Sequence, residues 1–234
     1  MEYSKGFRDV VYHPDWKDEF IGYGNPNATI LIIGQEAALE PGTDGWKRFY
    51  VPNQKQWLDT MESGYTYRNG YESNGNDYNF PAFFNPVFPF YKQKFFRLTK
   101  TSKTKDGTSS TYYNYQKLIN AIIPHDQETD PRLGEIIDFF RYSFVTELNS
   151  ECRLNHTTQQ PSIIENIARR FDKMKATKSF WSGFRNVILA CGSYADAIKK
   201  DENLKKAIFG DANVIFTRQL SIMSSAELSK IVSQ

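Results

Sequence analysis

The chain has only two cysteines, Cys152 and Cys191, too few for a disulfide framework or a four-thiolate iron–sulfur cluster. Both flank strand-like runs where a reduced thiol packs as a small apolar group, so a reducing compartment is expected. No apolar run approaches the ~20 residues that a membrane-spanning helix requires, and Met1 to Val10 lacks the apolar stretch of a secretory signal. These absences predict a soluble cytoplasmic protein with no membrane partner. A dominant charge is also missing, since 29 Lys and Arg stand against 27 Asp and Glu. Whole-molecule steering toward nucleic acid is therefore weak, and such binding must come from local clustering. The three histidines, His13, His125 and His156, are scattered. Only Cys152 and His156 have a helical metal-ligand spacing, and two ligands do not make a zinc site, so no metal is expected. Neither a phosphate-binding loop nor Gly-x-Gly-x-x-Gly follows the first strand, which argues against an ordinary nucleotide-binding enzyme, and no cofactor is expected.

What is present suffices for one substantial core: 234 residues, 40% hydrophobic and 15% aromatic, read as a single domain over 1–234. Four short, mostly apolar runs have the character of buried parallel strands: Thr29 to Gly34, Tyr142 to Leu148, Asn186 to Cys191 and Asn213 to Thr217. Helical patterns alternate with them at Pro161 to Trp181, Ser193 to Lys200 and Ser224 to Val232. The alternation predicts an α/β fold, a three-layer α/β/α sandwich around a central, mainly parallel four-stranded sheet. Residues 35–141 are too many for a single crossover and form a long aromatic-rich insertion after the first strand. Within it Gln54 to Glu62 and Tyr112 to Ile123 look helical, and Gly64 to Pro89 reads as an ordered irregular loop.

The first strand ends at Gly34 and passes Gln35 and Glu36 to a turn, where open α/β sheets place their ligands. From Gly34 to Pro52 the chain resembles the first motif of the uracil-DNA glycosylase superfamily. There a strand ends in Gly-Gln-Asp-Pro-Tyr-His-Gly-Pro-Gly, and Phe-Ser-Val-Pro follows a fixed distance later. Gly34, Gln35, Pro41, Gly42, Phe49, Val51 and Pro52 match at the same spacing, with Glu36 in the place of the water-orienting aspartate. The resemblance implies hydrolysis of the N-glycosidic bond of a flipped, damaged base such as uracil, in base-excision repair, with DNA as partner and the protein acting as a monomer. Glu36 would orient water and stabilise the cationic sugar, Phe49 would stack on the base, and Gln35 would belong to the base-binding turn. The plainer roles are a helix cap for Glu36 and a core position for Phe49.

Two further segments carry the resemblance more faintly. Tyr142 to Asn149 is similar to the strand that ends in a base-reading asparagine, which implies Asn149 for that role with Glu147 as the other candidate. Val214 to Ser221 occupies the place of the last motif, His-Pro-Ser, without its histidine. Arg218 would supply the positive charge there and Ser221 would grip a phosphate, while Ser224 with Glu227 reads as a helix capping box. Ala38 replaces the tyrosine that excludes thymine in the strictest class, so specificity does not carry over. Lys92, Lys94, Arg97, Lys100, Lys103 and Lys105 alternate with aromatics between Phe88 and Tyr115, a pattern that serves single-stranded nucleic acid or, more plainly, a solvated helix face. The missing histidine and Ala38 also motivate a different expectation, a catalytically inactive nucleic-acid- or protein-binding module on the same fold. A small-molecule hydrolase or transferase using Glu36 is a third.

Overall fold

The computed structural model describes residues 2–36, 53–64, 86–87, 110–130, 134–135, 137–150, 163–220 and 223–232. Its main sheet has five strands in the order β1-β5-β2-β6-β7: β1 (Tyr23–Gly24), β2 (Ile30–Gly34), β5 (Ser143–Glu147), β6 (Asn186–Leu189) and β7 (Asn213–Phe216). Between them in sequence, β3 (Thr129–Asp130) and β4 (Gly134–Glu135) pair antiparallel in a separate small sheet. The four strands expected from the sequence are present and mutually parallel. The count of four is corrected to five, because β1 adds to the β5 edge in the antiparallel sense and makes the sheet mixed. Two residues cannot display a period. The positive φ values of Gly22 and Gly24, with Ser143 O only 2.3 Å from where a Gly24 Cβ would stand, confine this edge to glycine.

The β2 sequence Ile-Leu-Ile-Ile-Gly is buried at every position, as a central parallel strand covered on both faces must be. Alternation then divides its side chains. Leu31 and Ile33, with Phe144, Val187 and Leu189, pack against the helices Lys5–Tyr12, Asn53–Ser63, Ile163–Ala176, Lys178–Trp181 and Glu202–Phe209. Ile30 and Ile32, with Val145, Ile188 and Ile215, pack against Ser110–Ile122, Phe139–Tyr142 and Ser225–Val232.

The helix expected from Pro161 to Trp181 is two helices. They are divided at Thr177, whose hydroxyl donates to Lys173 O and accepts from the indole nitrogens of Trp16 and Trp181. The Ser193 to Lys200 expectation resolves into a 3-10 turn, Gly192–Ala195, followed by a helix at Asp196–Lys200. Most of the stretch from Gly64 to Pro89 lies outside the described residues.

A buried side chain fastens the insertion to the sheet edge. Asn53 Oδ1 accepts from the backbone nitrogens of Ile21 at 2.8 Å and Gly22 at 3.0 Å, and its Nδ2 donates to Gly22 O. Removing that amide strands the two buried backbone nitrogens, each worth about 1–3 kcal/mol when unsatisfied, while Gly22 O keeps the Trp57 indole as its donor. Asn53→Ala is expected to lower unfolding free energy by about 2–4 kcal/mol in denaturant titration, part of the sum being recovered by water. A loss below about 0.5 kcal/mol contradicts the fastening role.

Candidate active site

From β2 the chain goes to β5 on one side and then returns to β6 on the other, so the carboxyl end of β2 is a topological switch point, the place where open α/β sheets bind their ligands. Parallel register decides which residues meet there. Gly34 pairs with Glu147, and the ladder continues past both strands, with Leu148 N donating to Gly34 O at 2.9 Å and Asn149 N donating to Gln35 O at 2.8 Å. Two residues beyond the Gly34–Glu147 pair, Glu36 and Asn149 are therefore neighbours. Asn149 is fully buried, and its Nδ2 donates to Glu36 Oε2 at 3.3 Å. On the β6 side Gln35 Nε2 donates to Cys191 O at 3.1 Å, which ties the ends of β2 and β6 together. Gly192, next in the chain, has φ +55 and faces the Gln35 amide.

Glu147 completes the group. A Cβ on Gly34 would lie 2.2 Å from Glu147 Oε2, so the carboxyl occupies space that only glycine leaves. Burial, and then the charge of Glu36, push the Glu147 carboxyl up to about 8, with Arg170 acting in the opposite direction. The hydroxyls of Tyr112 and Tyr115 are also pushed up, first by burial and then by Glu147, and the buried Cys191 thiol is raised by the same two causes. Two carboxyls at the ends of adjacent strands, one holding its proton near neutrality, are the division of labour that acid–base chemistry uses.

A raised carboxyl also has a stability signature. The native chain keeps a proton that the unfolded chain releases above 4.5, so this stabilising contribution is complete below that pH and is lost as pH rises through about 8. Glu147→Gln cannot ionise. It is expected to gain stability relative to the parent protein across that window, by up to roughly 1.4 kcal/mol per pH unit. Denaturant unfolding at either end of the window measures this, and an unchanging difference contradicts a raised carboxyl.

Of the residues expected from the sequence, Gln35, Glu36 and Asn149 come together, whereas Phe49 and Ser221 lie outside the described residues. So do Ala38, Cys152, His156 and the basic residues from Lys92 to Lys105. Arg218 follows β7 and is exposed, with its guanidinium donating to Glu227. Glu227 in turn accepts from the backbone nitrogen and hydroxyl of Ser224, while its own nitrogen donates to Ser224 Oγ. This is the capping box expected at the start of Ser225–Val232, and the Ser224 nitrogen and then Arg218 hold the Glu227 carboxyl down to about 2. Tyr115, from the cation-rich stretch, is buried in the core, and Lys117 lies over the Tyr113 ring. From the sequence alone Glu147 stands only as an alternative to Asn149. The signal that distinguishes their roles is the pairing of a strand-end glutamate with a strand-end glycine.

Among the described residues no group of three or more His, Cys, Asp or Glu is arranged to hold a metal ion, and no helix is long and apolar enough to cross a membrane. No protein-family model matches the chain, and no curated protein or solved structure matches it.

Proposed function

We propose that the protein is a DNA glycosylase that hydrolyses the N-glycosidic bond of a flipped base at the ends of β2 and β5. The observation that supports this most is the hydrogen bond from buried Asn149 to Glu36, an amide and a carboxylate at the two motif positions of the uracil-DNA glycosylase superfamily. In this reading Glu36 accepts a proton from the attacking water and its charge favours the cationic sugar. Asn149 fixes that carboxylate with one N–H, and its amide is the group given the reading of the base edge. Gln35 secures the turn, Phe49 stacks on the base and Ser221 grips a phosphate. Arg218 has the least support, since its described contact is with Glu227 rather than with the Glu36–Asn149 pair. The proposal extends to a three-layer α/β/α arrangement, to DNA as partner, and to a monomer acting in the cytoplasm without metal or cofactor.

The test is incubation with oligonucleotides carrying uracil, hypoxanthine or a mismatch, followed by detection of abasic product. Base release supports the proposal. Salt-dependent DNA retention with no abasic product, under conditions where a known glycosylase works, overturns it in favour of a binding module.

A further inference from the structure

We propose that Glu147 is the proton donor to the departing base, and that the site therefore takes a purine, which leaves readily only once a ring nitrogen is protonated. This rests on the glycosylase reading above. Three observations support it. The carboxyl lies over Gly34, in the space a side chain there would fill, at the strand end next to the one that carries Glu36. Register sets it two residues before Asn149, so that water-orienting and proton-donating groups stand on adjacent strands at the same end of the sheet. Arg218, the other candidate for meeting charge on the base, is held by Glu227 instead.

Glu36 and Arg170 act on the Glu147 carboxyl, and Glu147 in turn acts on its titratable neighbours Tyr112, Tyr115 and Cys191. The two tyrosines and the cysteine are held neutral, which leaves Arg170 as the cation opposing the burial and the Glu36 charge that keep the proton on Glu147. Near neutrality this carboxyl therefore has a proton to give.

The step balances as a hydrolysis. The C1′–N bond breaks with its electron pair passing to the base, and the Glu147 proton goes to a ring nitrogen so that the base departs neutral. The water oxygen bonds to C1′ and its proton passes to Glu36. Solvent then returns one proton to Glu147 and takes one from Glu36. A base that leaves as a resonance-stabilised anion, such as uracil, gains little from this donor.

The experiment compares wild type, Glu147→Gln and Glu36→Gln in single-turnover release of hypoxanthine and uracil from otherwise identical oligonucleotides across neutral to alkaline pH. Wild-type purine release is expected to fall about tenfold per pH unit above about 8. Glu147→Gln should lower purine release at neutral pH by at least about 10²-fold and flatten that limb, while uracil release changes much less. An alkaline limb that persists in Glu147→Gln, or equal losses on both bases, overturns the donor role. A wild type that releases neither base overturns the glycosylase reading and the donor role with it. An infrared difference titration of wild type against Glu147→Gln separates the two failures, because it reads the carboxylic acid without turnover. An acid band at neutral pH that the variant lacks is expected, and its absence overturns the donor role even where bases are released.

Discussion

Glu36→Gln is expected to lower base release by about 10²–10⁴-fold without unfolding the protein. Glutamine keeps the shape of the side chain, and its carbonyl can still accept from Asn149 Nδ2, so the hydrogen bond at the strand ends survives. What disappears is the negative charge, and with it both roles proposed for Glu36, the base for water and the field that favours a cationic sugar. The same change removes a repulsion that helps hold the Glu147 proton. The alkaline fall of residual activity should therefore begin at lower pH in Glu36→Gln than in wild type. Single-turnover rates across pH read both effects, and an undiminished rate would end the role given to Glu36.

The second large effect is structural. Phe144, the second residue of β5, is fully buried, and its ring meets those of Phe7 at 5.7 Å, Trp57 at 6.0 Å, Phe180 at 5.3 Å and Phe184 at 6.2 Å. It also packs against the glycine edge, where a Gly22 Cβ would stand 2.6 Å from Phe144 Cε1. Rings contributed by three helices and by Phe184, just ahead of β6, cannot all collapse into the space Phe144 vacates, so the cavity remains. Phe144→Ala is expected to cost about 3–5 kcal/mol in denaturant unfolding, with Phe144→Leu costing markedly less. Because β5 also carries Glu147 and Asn149, base release should fall together with stability. A loss below about 1 kcal/mol would contradict this account of the core.

Much of this architecture is legible in the residues. The runs Ile30 to Gly34, Ser143 to Glu147, Asn186 to Leu189 and Asn213 to Phe216 declare themselves as strands because buried parallel strands are continuous and apolar. Glu36 and Asn149 were legible as strand-end polar groups, and Ser224 with Glu227 as a cap. The β1 strand was not, since two residues have no period and its constraint is the close approach of Ser143. The helix Lys5–Tyr12 presents Phe7, Val10 and Val11 to the core within only eight residues, a short signal beside a terminus. The standing of Glu147 was hidden for a different reason. Its environment depends on which residue of β2 lies opposite it, and register is a property of two distant segments together. Arg218 illustrates the converse: a strand-end cation looked available for chemistry until the final helix brought Glu227 to it.

The central claim is that Glu36 and Asn149 work as one unit at the joined ends of β2 and β5. A double-mutant cycle on base release, built from Glu36→Gln, Asn149→Ala and the combined variant, measures that coupling directly. The account predicts that the second substitution adds far less than its effect alone, with a coupling of about 1–3 kcal/mol. Strictly additive losses, or an Asn149→Ala rate equal to wild type, would contradict it.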